Sequence, residues 1–68
     1  MTGLEFIRRA RRYARRTGQD YRLEPSRGKG SHARLWIGEH LTTVKRGDLP
    51  RGALLGMLKQ LNICKEDF

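Results

Sequence analysis

One cysteine, Cys64, stands in a chain of 68 residues. It cannot close an internal disulfide, and a lone thiolate does not make a metal site. The chain is therefore expected in a reducing, cytoplasmic compartment. Acids are scarce as well: seven Asp and Glu face 15 Lys and Arg, a formal charge of +8. With no run of carboxylates to hold two metal ions, two-metal hydrolysis is not expected, and neither is a bound metal or cofactor. No apolar run approaches the roughly 20 residues of a membrane span. Arginines begin at Arg8, so no signal-peptide core is expected in this stretch. There is no repeat, low-complexity tract or linker, so one domain, 1–68, is expected, with a core too small to tolerate an unpaired buried charge.

What is abundant is positive charge, and that bears on partners before it bears on fold: RNA, DNA or an acidic protein. Residues 2–17 read as a helix. Thr2-Gly3-Leu4-Glu5 has the form of a capping box. At about 100° per residue, Phe6, Ile7, Ala10, Tyr13 and Ala14 share an arc of about 120°. Arg8, Arg9, Arg11, Arg12, Arg15 and Arg16 share the opposite one, with no acid among them, and Gly18 stops the helix. Six like charges without counter-charge suit a phosphate backbone or an acidic partner; a solvated helix face is the plain alternative. Arg8, Arg12 and Arg15 are the candidate RNA contacts of this face.

Tyr21-Arg22-Leu23-Glu24 alternates with the period of a strand, expected over about 20–25 and ended by Pro25. Arg27 to His32 is then the most polar and glycine-dense stretch of the chain. Gly28 and Gly30 bracket Lys29, an arrangement that lets backbone and lysine approach an anion closely, although a hairpin turn needs the same glycines. A second strand is expected over 31–37. Its parity sets Ala33, Leu35 and Ile37 on one face and His32, Arg34 and Trp36 on the other. If the apolar face meets the helices, an imidazole, a guanidinium and an indole stand in a row on the open face: a proton carrier, a phosphate clamp and a stacking surface. Trp36 as a core residue is the alternative. Gly38-Glu39 reads as a two-residue hairpin turn, and 40–45 as the third strand, with Thr42 and Val44 joining Leu35 and Ala33 on the core face. His40 reads as an exposed turn residue.

A last helix is expected over about 50–61, with Pro50 in its first turn, Asp48 or Leu49 as cap, and Leu54, Leu55, Leu58 and Leu61 as a core stripe with Met57 beside them. Gly56 inside it is expected to mark close packing on the sheet. Asn62 ends the helix, Ile63 folds back onto it, and Lys65 to Phe68 reads as a mobile tail. The fold class is thus α+β: a small α-β-β-β-α domain with a three-stranded antiparallel sheet and two helices on one face.

Gly28-Lys29-Gly30-Ser31-His32, the strands to Val44, and the helix from Gly52-Ala53-Leu54-Leu55 to Leu58-Lys59-Gln60 followed by Asn62-Ile63 resemble the HicA family of small toxins, the mRNA interferases of HicA–HicB toxin–antitoxin pairs. The resemblance covers nearly the whole chain. It implies a double-stranded-RNA-binding-domain-like fold, metal-independent endoribonuclease activity depending on His32, and inhibition by a HicB-type antitoxin that covers that histidine. The chain departs from the family pattern after the third strand, where Thr43-Val44-Lys45-Arg46 has neither a Val-Pro pair nor a further histidine.

From the residues themselves, His32 is the candidate general acid or base for RNA cleavage. Lys29 and Arg34 would stabilise phosphate charge, Gly30 would allow close backbone approach, and Ser31 would orient the backbone or the imidazole. Two other classes are open at this point. A non-catalytic RNA-binding module would keep its function without His32. A protein-interaction role would show no salt-steep RNA binding.

Overall fold

The computed structural model describes residues 1–25 and 32–68. Helix α1 (Gly3–Thr17) is followed by strands β1 (Tyr21–Glu24), β2 (His32–Ile37) and β3 (His40–Lys45), helix α2 (Arg51–Gln60) and a short 3-10 helix, Lys65–Asp67. The sheet has order β1-β2-β3 with both pairings antiparallel. This is the α-β-β-β-α order expected from the sequence, with element ends shifted by about one residue. The polar turn expected from Ser26 to Lys29 and the strand start expected at Ser31 lie outside the described residues.

Thr2 caps α1: its hydroxyl accepts from the Glu5 amide at 3.2 Å and donates to the Glu5 carboxylate at 3.2 Å. At the other end Gly18 takes a left-handed conformation, φ 70°, and the Gln19 amide reaches back to the Ala14 carbonyl at 2.9 Å. Between the caps, Phe6, Ala10 and Ala14 are fully buried, with Ile7 and Tyr13 partly so. The start of α1 is tied to the connection after β3. Gly3 donates to the Gly47 carbonyl and Leu49 to the Met1 carbonyl, each at 2.8 Å. Gly3 lies so close to the Lys45 carbonyl that a Cβ there would collide with it.

The register sets Ala33 against Val44, Leu35 against Thr42, and Ile37 against His40, leaving Gly38-Glu39 as a two-residue turn with Gly38 at φ 60°. Leu35, Ile37 and Val44 are buried under the helices. Thr42, also buried, satisfies its hydroxyl by donating to Gln60 Oε1 of α2 at 2.6 Å. Both helices therefore cover one face of the sheet and leave the other uncovered.

The second helix departs from expectation in three places. Pro50 occupies its N-cap position, and no side chain caps it; Leu49 is buried instead. Leu55 is not part of the core stripe: it is 40% exposed, whereas Leu58, Leu61 and Met57 are buried as expected and Leu54 packs beside them. Gly56 does not touch the sheet: a Cβ built there meets nothing. Its end behaves as expected. Asn62 adopts φ 59°, and the Ile63 amide returns to the Leu58 carbonyl at 2.9 Å, so two buried apolar side chains close the turn.

The expected mobile tail is also corrected. Lys65–Asp67 form the 3-10 helix, and the Phe68 ring sits 4.9 Å from Phe6, centroid to centroid. Arg9 donates to the Phe68 carbonyl at 2.7 Å and covers its ring at 5.0 Å, while Arg16 donates to the Asp67 carbonyl. Deep apolar contact and two charge-assisted hydrogen bonds explain why a short polar-looking segment is held.

Candidate nucleic-acid site on the uncovered sheet face

Three rows of side chains occupy the uncovered face. His32 on β2 stands against Lys45 on β3. Arg34 stands between Glu24 and Thr43, and Trp36 between Arg22 and Leu41. His32, Arg34, Thr43 and Lys45 are exposed, Trp36 and Glu24 are half-buried, and Leu41 is 44% exposed. The expected row His32, Arg34, Trp36 is thus on one face, and Trp36 is not among the core residues. Arg22 and Lys45 join it by cross-strand pairing; their strand parity was already readable, but the pairing that brings them to His32 and Trp36 was not.

The Arg22 guanidinium lies 4.9 Å from the Trp36 ring centroid and 3.6 Å from the Glu24 carboxylate. Such a stacked guanidinium is weakly hydrated and retains donors for an anion. Glu24 is the acid of this face among the described residues, so the face keeps an excess of positive charge from Arg22, Arg34 and Lys45. Lys29, Gly30 and Ser31 lie outside the described residues; their connection leads directly into His32.

The arginines of α1 divide into two sets. Arg9 and Arg16 hold the tail. Arg8, Arg11, Arg12 and Arg15 line a shallow groove that faces solvent. Arg11 lies close enough to Tyr21 to offset part of the rise that burial imposes on the phenol. Because α1 packs on the covered side of the sheet, Arg8, Arg12 and Arg15 are not brought to His32 and Arg34: the sheet and helix lie between them. Among the described residues these are two separate basic surfaces, one with an imidazole and an indole, the other of guanidinium groups alone.

Among the described residues no three His, Cys, Asp or Glu side chains converge as a metal site would require. His40, expected as a turn residue, is exposed next to the hairpin turn. No helix among the described residues is long and apolar enough to cross a membrane. Comparison with protein-family models, with curated proteins and with solved structures finds no significant match to this chain.

Proposed function

We propose that the protein is a metal-independent endoribonuclease of the HicA type, the toxin of a type II toxin–antitoxin pair, acting on mRNA in the cytoplasm and inhibited by a HicB-type antitoxin. The observation that carries this reading is the position of His32: an exposed imidazole beside Lys45 and on the same sheet face as Arg34, in a chain of charge +8. RNA cleavage needs a proton taken from an attacking oxygen, a P–O bond broken, and a proton given to the leaving oxygen. An imidazole can carry either proton, a contribution of about 10²–10⁴ in rate. Arg34 and Lys45, with Lys29 from the preceding connection, supply positive charge for the phosphate as it reacts, and Ser31 orients the neighbouring backbone or the ring. Arg8, Arg12 and Arg15 bind a more distant part of the RNA or an acidic region of the antitoxin.

The test is cleavage of a long single-stranded RNA, with chelator present, by the wild type and by His32→Ala. Cleavage by the wild type and a loss of about 10²-fold or more in the variant is the expected result. The end groups then tell attack by the 2′-OH from attack by water. Binding by both proteins with cleavage by neither sinks the enzyme reading and leaves a non-catalytic RNA-binding module, which the same basic surfaces equally favour.

A further inference from the structure

Trp36 is the one tryptophan of the chain, and it stands outside the core. Parity alone would have allowed an indole to be folded under a helix; instead the helices cover the other side of the sheet. Its ring is half-buried between the cross-strand neighbours Arg22 and Leu41. The Arg22 guanidinium lies over it at 4.9 Å from the centroid, on a side chain that is 71% exposed and, among the described residues, paired with Glu24. An aromatic face on an open, basic sheet, with a movable guanidinium beside it and an aliphatic side chain on the other flank, is a surface for a planar base. Both the indole and the guanidinium plane can stack on a nucleobase, and Arg22 can close over a base that displaces it.

We propose that Trp36, with Arg22 and Leu41, forms a base-stacking subsite for single-stranded RNA on the same sheet face as His32. This rests on the RNA reading of the preceding section and adds to it the substrate's strandedness and a second contact point. His32 and Trp36 are four residues apart on β2, about 13 Å at about 3.3 Å per residue. The base on Trp36 therefore belongs to a different nucleotide from the one whose phosphate meets His32, and Arg34, midway, faces the backbone between them. Paired bases hide their faces in the helical stack, so a duplex cannot use this subsite. Every base has a π-face, so the subsite fixes the path of the strand with little sequence preference. An acidic polypeptide could pair with Arg34 and Lys45 but would leave the indole unstacked.

Because the tryptophan is single, its fluorescence reports this subsite alone. The His32→Ala protein, which keeps the RNA intact, is titrated with a short single-stranded RNA, the same RNA in a perfect duplex, an abasic ribose-phosphate strand of equal length, and polyglutamate. Saturable quenching by the single strand, and binding without quenching by the abasic strand and the duplex, is the expected pattern. In a separate assay with labelled RNA, Trp36→Ala weakens single-strand binding by about 5- to 150-fold while leaving abasic-strand binding unchanged, and Trp36→Phe restores most of the loss. Binding of the single strand without quenching, quenching by polyglutamate, or equal RNA affinity in Trp36→Ala overturns the subsite and leaves the ribonuclease reading untouched. No binding of any RNA overturns that reading along with it. Quenching in His32→Ala, together with a wild type that cleaves no RNA, overturns the enzyme alone.

Discussion

Tyr21 shows how the fold acts on a single side chain. Burial raises its phenol above the ordinary value of 10.0, and the nearby Arg11 guanidinium draws it partly back. The folded state thus favours the neutral phenol. That contribution to stability is complete below about pH 10 and is lost as pH rises through the raised folded value, because the unfolded chain ionises first. Melting temperature is expected to fall above about pH 10 more steeply in the wild type than in Tyr21→Phe; parallel curves for the two proteins would contradict this. At the same scale, the row His32, Arg34, Trp36 could be read from strand parity, since alternate side chains must share a face. What parity cannot supply is the neighbour across the strand. Arg22 meets Trp36, and Lys45 meets His32, only because the register sets them there.

Two glycines separate the demands of the elements that hold them. Gly3 opens α1 against the Lys45 carbonyl, where any Cβ would collide with backbone, while Gly56 faces open space in the interior of α2. Gly56→Ala is therefore expected to stabilise the protein by about 1 kcal/mol and Gly3→Ala to destabilise it, both read from chemical denaturation midpoints. The reverse order would mean that α2 is held against something at Gly56. The caps of α1 and the end of α2 were legible because Thr2, Gly18 and Asn62 each do a specific local job. The outer face of α2 was misread for a reason that is also local. At about 100° per residue, Met57, Leu58 and Leu61 fall with Leu54 in one arc, Leu55 lies about 60° beyond Leu58, and Gly56 lies nearly opposite. Counting leucines hid that angle. The tail was misread because its fixation depends on Phe6, Arg9 and Arg16, residues some 50 to 60 positions away in the chain.

For the whole molecule the question is how its charge is divided. One basic surface carries His32 and Trp36, and the other carries the Arg8, Arg11, Arg12 and Arg15 groove on the far side of the helix layer. If the groove tracks RNA, each arginine replaced by alanine should reduce the steepness of log K against log salt by about 0.7. The Arg8→Ala, Arg12→Ala double variant tests this in an RNA-binding titration at several salt concentrations. An unchanged slope would assign the groove to an acidic protein instead, leaving RNA to the sheet. Arg9 and Arg16 stand apart from this division, because they are occupied by the segment that ends in Phe68. That clasp has a consequence for biosynthesis. A nascent chain emerging from the ribosome can wind α1 early, yet one flank of Phe6 and two guanidinium groups stay uncovered until Phe68 has been made. Completion of the fold is thereby tied to completion of this whole stretch of polypeptide, and a ribosome that stalls inside α2 would release a helix and sheet without their clasp.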